Sequence, residues 1–278
     1  MFLSDDLLQG LIEAAIAAGR EVLDVYASDF AIDIKSDASP VTAADRRAEE
    51  VILARLAELM PGVAVVAEEA AAAGHLPGDL GERFFLVDPL DGTKEFCSRN
   101  GEFTVNIGLI EGDRPAAGVV FAPVIGRVYA GVVGVGAGVG EVVDGQIVSW
   151  AEARVRPAPH SGLTVLASRS HCGPDTEAFL AKLDVAERVS AGSSLKFCRV
   201  AEGLADLYPR LGPTMEWDTA AGDAVLRAAG GKVVTLDGAL LAYGKRGTGQ
   251  ADFRNPWFLA VGQLPADAHE FAAAAAGE

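Results

Sequence analysis

The chain has 278 residues, half of them hydrophobic and 22% charged, which excludes a disordered polymer and leaves enough apolar material for one large core or two packed halves. Its formal charge of −16 opposes nonspecific binding to nucleic acid and to anionic membrane surfaces. Cys97, Cys172 and Cys198 form no CxxC pair, so neither a disulfide framework nor a zinc site is indicated.

A reducing cytoplasm fits that cysteine usage, and the acidic start at Asp5 and Asp6 does not resemble a secretory signal. No apolar run reaches the ~20 residues that span a bilayer. The longest candidate, Val128 to Gly140, is interrupted by glycines and reads as strand and turn.

In chain order, Leu7, Leu8, Leu11, Ala15, Val22, Leu23 and Tyr26 recur at helical spacing behind Ser4, which predicts an amphipathic helix over 5–27. A polar loop over 35–45 leads into a second helix, with Thr42 and Asp45 at capping-box spacing and Pro61-Gly62 as its stop. Val63 to Val66 predicts a short buried strand running into Glu68-Glu69. Phe84 to Val87 predicts another, which ends in Asp88-Pro89 because proline lacks a ladder donor. Further strands are expected at 102–110, 117–122 and 127–133, with a hairpin turn at Asp144-Gly145.

The proline-bearing stretch from Arg154 to Gly162 is the expected boundary between a half at 1–155 and a half at 156–278. Beyond it the spacing predicts a strand at 163–167, helices near 174–183 and 194–203, and a strand at 204–207. A helix then opens after Trp217-Asp218-Thr219, strands follow at 231–236 and 257–261 around an Asp237-Gly238 turn, and a terminal helix covers 265–276. This alternation indicates an α/β (α+β) protein.

The chemistry concentrates in Asp88-Pro89-Leu90-Asp91-Gly92-Thr93. Two carboxylates three residues apart at a turn repel each other unless a proton or a cation lies between them, and hard oxygen ligands of this kind suit Mg²⁺ or Mn²⁺. Alone, the segment reads equally well as turn chemistry. Glu68 and Asp218 also sit at strand or helix ends, and convergence of all three places would make a multi-metal phosphoryl-transfer site.

Glu68-Glu69, DPLDGT at 88–93 and WDTAAG at 217–222 resemble the signature of the lithium-sensitive, Mg²⁺-dependent inositol monophosphatase superfamily. SPVTAAD at 39–45, VDPLDGTKEF at 87–96, RNGEFTVNIG at 99–108, SRSH at 168–171 and GSSLKFC at 192–198 make the chain similar to its CysQ-type 3'(2'),5'-bisphosphate nucleotidases. The resemblance implies a layered αβαβα sugar-phosphatase fold of two packed halves. The first half would carry most metal ligands, and the second the substrate-binding residues and one ligand.

It further implies that Glu68, Asp88, Asp91 and Asp218 hold two or three Mg²⁺ ions through carboxylates, with Leu90 adding its carbonyl. Glu68 is counted with the catalytic residues. Gly92 and Thr93 would hold the scissile phosphate, and Thr93 with Asp45 would polarise the attacking water. His171, Ser193, Lys196 and Arg210, together with Asp218, match substrate-binding positions. Arg210 and Lys196 suit a second, non-reacting phosphate.

The implied reaction is hydrolysis of the 3'-phosphate of adenosine 3',5'-bisphosphate, a by-product of sulfate assimilation, to AMP. An inositol or sugar monophosphatase using the same metal chemistry is the close alternative, and a silent phosphometabolite-binding protein the distant one. For Ser193, a plain helix cap is the competing reading, and for Lys196 a solvated first-turn lysine. Ala70 and Asp223 depart from the common pattern, and Phe103 and Phe197 read as core.

Overall fold

The computed structural model describes residues 6–34, 40–157, 159–167 and 173–263. Ser4, residues 35–39, the SRSH segment with His171, Cys172 and the expected terminal helix lie outside the described residues.

The first half opens with helix α1 (Asp6–Tyr26), a two-residue strand pair β1 (Asp33–Ile34) and β2 (Pro40–Val41), and helix α2 (Ala43–Leu59). The capping box at the start of α2 is formed: the Thr42 hydroxyl accepts from Ala44 N at 3.1 Å, and Asp45 Oδ2 accepts from Thr42 N at 2.7 Å. Strand β3 (Ala64–Ala67) and the short helix α3 (Glu68–Ala72) precede β4 (Arg83–Asp91) and the short helix α4 (Thr93–Cys97). Then β5 (Thr104–Glu111), β6 (Arg114–Ala122), β7 (Arg127–Val132), β8 (Gly136–Val143) and β9 (Gln146–Ala153) run as a meander. Together β3 to β9 make a seven-stranded sheet in sequence order, antiparallel except for the β3–β4 pair. The β8–β9 hairpin turns at Asp144 and Gly145, both with positive φ (49° and 73°), which suits a two-residue connection.

The second half carries β10 (Leu163–Ala167), α5 (Pro174–Leu180), β11 (Val185–Ser190), α6 (Leu195–Ala201), β12 (Leu207–Arg210), α7 (Ala220–Ala228), β13 (Lys232–Thr235) and β14 (Phe258–Val261). Its sheet has the order β11-β10-β12-β14-β13. Strand β11 has no counterpart in the sequence reading, because Val185–Ser190 alternates weakly and is mostly exposed. The strand expected at 204–207 begins instead at Leu207.

Alternation along the strands sorts the core into layers. Phe85, Val87, Val105 and Ile107 face α1 and α2. Phe84, Leu86, Val120 and Tyr129 face inward to meet Phe197 and Val200 of α6, Val225 and Leu226 of α7, and Tyr208 and Phe258 of the second sheet. The outer face of that sheet, through Val165, Leu207 and Leu259, covers Phe179 and Leu180 of α5. The result is the expected αβαβα stack. Phe103 and Phe197 are buried core side chains, as anticipated.

One expectation fails informatively. The strand does not end at Asp88-Pro89: β4 continues to Asp91, with a register shift between Asp88, which pairs with Asn106, and Asp91, which pairs with Thr104. The missing proline donor is absorbed in a bulge rather than a turn, and the chain reverses only at Gly92, whose φ of 92° is left-handed.

Helix α7, rich in small residues, lies directly on the inner face of the first sheet. A Cβ at Gly118 of β6 would stand 2.5 Å from Ala221 O and 2.9 Å from its Cα, so backbone meets backbone there. Gly118→Ala is therefore expected to destabilise the fold by about 1–3 kcal/mol, because neither wall can give way. Gly78→Ala, where an added Cβ meets nothing within 4 Å, should stay within about 0.5 kcal/mol. Thermal or urea denaturation of the two variants checks the contrast.

Candidate active site

Register brings the first two carboxylates together. Strands β3 and β4 are parallel with Ala67 opposite Val87, so the next residues, Glu68 and Asp88, emerge side by side. The bulge then swings Asp91 and Gly92 around the same end of the sheet. Asp218 arrives from the turn before α7, where its Oδ2 accepts from Met215 N at 2.8 Å. One carboxylate oxygen from each of Glu68, Asp88 and Asp218 lies within 4.8 Å of the others.

Asp88 is 1% exposed, and its Oδ1 accepts the local Leu90 N–H at 3.0 Å. Burial raises its pKa well above the usual carboxylate range, and the charges of Glu68, Asp91 and Asp218 push it further the same way. Asp218 is raised for the same reasons, burial first and then Asp91 and Glu68, while the Met215 amide and Arg210 pull less strongly the other way. A cluster of hard oxygen donors that resists ionisation for want of positive charge fits a divalent cation.

Asp91 stands outside the tight trio. Its Oδ2 accepts from Ser193 Oγ at 2.7 Å, Ser194 Oγ at 3.0 Å and Asn106 Nδ2 at 3.5 Å. The two serine bonds latch it to the second half, and all three fall on one oxygen. Ser193 does not cap α6: it has φ 54°, the N-cap position is Ser194, and no side-chain cap bond is made there. Its hydroxyl lies 2.5 Å from Thr104 Oγ1 as well as against Asp91.

Asp45 reaches both Thr42 and Thr93. Oδ2 closes the capping box, while Oδ1 lies 3.5 Å from Thr93 Oγ1. The Thr93 hydroxyl also lies 3.3 Å from Leu90 O. Asp45 is 2% exposed, and burial raises its pKa to about 6 against the two Thr42 hydrogen bonds that lower it.

Leu90, Gly92 and Thr93 line one cavity together with Lys196, Tyr208 and Arg210. Lys196 is no solvated surface lysine. It is 5% exposed, donates from Nζ to Ser193 O at 2.6 Å and Ala191 O at 3.3 Å, and lies over the Tyr208 ring. Burial lowers its pKa to about 8. Arg210 donates from Nη2 to Pro213 O at 2.7 Å, while its buried Nε finds no partner among the described residues.

Several participants escaped the sequence reading. Asn106, Thr104 and Ser194 carry the Asp91 latch. Glu216 is fully buried and accepts from Gly244 N at 2.6 Å and from Lys245 N at 2.9 Å, which anchors the loop before Asp218 to a distant segment. Glu49 accepts two backbone amides at the start of α3, and its one available signal was its place one helical turn beyond Asp45. Asp223, a departure from the common pattern, is structural: it is fully buried between Arg227 at 2.7 and 2.8 Å and the Tyr243 hydroxyl at 2.9 Å. Ala70 contributes its amide to Glu49.

Residues 4–274 match the inositol monophosphatase family. The chain belongs to that family. It is 43% identical over 254 residues to the 3'(2'),5'-bisphosphate nucleotidase CysQ of Escherichia coli K12, covering 91% of this chain and 98% of the relative. The relative of the same name from Salmonella typhimurium is also 43% identical over the same shares. Among solved structures, CysQ from Bacteroides thetaiotaomicron, a bacterial member of the inositol monophosphatase family, aligns with TM-score 0.77 at 37% identity, covering 95% of this chain and 100% of the other. The inositol monophosphatase from Anabaena aligns with TM-score 0.72 at 26% identity, covering 96% and 94%.

The carboxyl groups of this family member set a pH dependence. Folding raises Asp45 from 3.8 to about 6 and Glu49 from 4.5 to about 7, both chiefly through burial. The folded protein then holds protons that the unfolded chain has released, so their stabilising contribution is complete below about pH 4 and is lost as pH rises to about 7. In EDTA, this contribution to the thermal midpoint should decline across that window. A divalent cation that binds only the folded, ionised site should raise the midpoint most at the alkaline end.

Proposed function

We propose that the protein is a Mg²⁺-dependent 3'(2'),5'-bisphosphate nucleotidase that removes the 3'-phosphate of adenosine 3',5'-bisphosphate, giving AMP and phosphate. The observation that carries this reading is that one cavity is lined both by the converging carboxylates of Glu68, Asp88 and Asp218 and by two cations, the buried Lys196 and the half-buried Arg210. A substrate with two anionic groups matches a cavity that offers both a cation-binding cluster and cationic side chains. The names of the CysQ relatives support the same substrate class.

In this reading Glu68, Asp88, Asp91 and Asp218, with the Leu90 carbonyl, hold the cations. When bound, Mg²⁺ supplies the positive charge that the phosphoryl transition state needs and the acidity that makes water a nucleophile near neutral pH. Gly92 and Thr93 present backbone N–H groups at the start of α4, where the helix itself has no acceptor for them, and so receive phosphate oxygens. The Thr93 oxygen accepts a hydrogen bond from the attacking water while its own proton points toward Asp45 Oδ1. Asp45, already held at a raised pKa, takes the proton released as the water oxygen bonds to phosphorus and the P–O3' bond breaks, and a solvent proton completes the departing 3'-hydroxyl. Lys196 and Arg210 bind the second phosphate, with Ser193 and His171 contacting the nucleoside. The division of labour follows the two halves, most cation ligands before residue 155 and the substrate side after it.

An inositol or sugar monophosphatase remains the alternative reading, since the carboxylate cluster recognises only a phosphate ester, and the Anabaena relative in fold carries that name.

Phosphate release from adenosine 3',5'-bisphosphate, inositol 1-phosphate and fructose 1,6-bisphosphate, with and without Mg²⁺, tests the assignment. A kcat/KM favouring inositol 1-phosphate would reject the nucleotidase reading. Thr93→Ala should lower kcat by about 10²–10⁴-fold, and Asp88→Asn combined with Asp91→Asn should abolish Mg²⁺-dependent turnover. Lys196→Ala should impair the bisphosphate more than a monophosphate, which steady-state kinetics on both substrates would resolve.

A further inference from the structure

Glu49 has no part in the reaction described above, yet it is 7% exposed and both of its oxygens are committed. Oε2 accepts from Glu69 N at 2.8 Å, and Oε1 accepts from Ala70 N at 3.0 Å. These amides lie in the first turn of α3, where a helix has no acceptor of its own for them. The residue before that helix, Ala67, makes no side-chain cap bond. A serine or asparagine at that position would serve as an ordinary local cap.

Here the acceptor comes instead from α2, some 20 residues earlier in the chain, and it is a carboxylate. Glu68 and Glu69 both act on it as unfavourable charges. A neutral local cap would avoid that repulsion. What the longer route adds is a fixed distance between α2 and the residue that opens α3, which is Glu68.

We propose that Glu49 is a positioning residue. It ties the first turn of α3 to α2 so that the Glu68 carboxylate stands against Asp88 and Asp218. Because Asp45 lies one turn before Glu49 on the same helix, α2 then sets two parts of the site at once, the Asp45–Thr93 pair and the Glu68 ligand. The inference rests on the reading of Glu68 as a cation ligand.

The test is calorimetric titration of the full-length protein with Mn²⁺, without substrate, for wild type, Glu49→Gln, Glu49→Asp and Glu68→Gln. Glutamine keeps the shape but sets an N–H₂ against one of the two amides. Aspartate keeps the charge but is one methylene too short to reach both. Both Glu49 variants are expected to weaken Mn²⁺ binding by about 10–100-fold, in company with Glu68→Gln.

Wild-type affinity in both Glu49 variants, with only the EDTA melting temperature lowered, would reduce Glu49 to a structural cap and overturn the proposal. Full affinity in Glu49→Asp alone would assign the effect to charge rather than position, and overturn it too. If Glu68→Gln binds Mn²⁺ normally, the ligand reading itself fails and the proposal falls with it. Hydrogen exchange in the unmodified protein gives a check that needs no variant to fold. The Glu69 and Ala70 amides should be protected despite opening a helix, and exchange as fast as a solvent-exposed amide would overturn the proposal.

Discussion

Mutual repulsion among carboxylates is the constraint around which this structure is arranged. Glu68, Asp88 and Asp218 are held within a few ångströms of one another at the end of a sheet, with Asp88 almost without solvent. Left free, such groups would separate or take up protons. The fold prevents separation by fixing each at its backbone: Asp88 through the β4 bulge and its bond to Leu90 N, Asp218 through Met215 N, and Glu68 through its place at the end of β3. The strain is therefore electrostatic, and a bound cation relieves it directly.

The same logic explains how the halves are joined. Asp91 belongs to β4, but its Oδ2 is gripped by Ser193 and Ser194, which precede α6. Ser194 also lies within hydrogen-bonding distance of Asp218 O, at 2.8 Å. The middle layer, α6 and α7, shares one core with both sheets, so these polar contacts stand on apolar packing that already fixes the halves against each other. Close contact at Gly118 lets α7 approach the first sheet until backbone touches backbone. A bulkier residue there would shift the helix that follows Asp218.

The cavity that the carboxylates line also holds positive charge. Lys196 keeps its charge in the interior because backbone carbonyls at Ser193 and Ala191 solvate it and the Tyr208 ring lies beneath it. Those carbonyls belong to the same loop that latches Asp91. One short segment thus holds both Asp91 and Lys196.

Much of this was readable from local chemistry. Hydrophobic periodicity located α1, α2 and most strands, and the capping spacing of Thr42 and Asp45 was visible because a cap is satisfied by residues three apart. The DPLDGT and WDTAAG segments identified their carboxylates and the family, since those residue types occur there together for chemical reasons. Tertiary structure alone decided the rest. It placed the turn at Gly92 instead of Pro89, because pairing with β5 stabilises the strand beyond its proline. It gave β11 its strand character through pairing with β10. It recruited Asn106, Ser194, Glu216 and Glu49, whose partners lie 15 or more residues away. Local spacing encodes only contacts that the chain makes with itself within a turn or two; which carboxylate faces which amide across layers is set by register and packing.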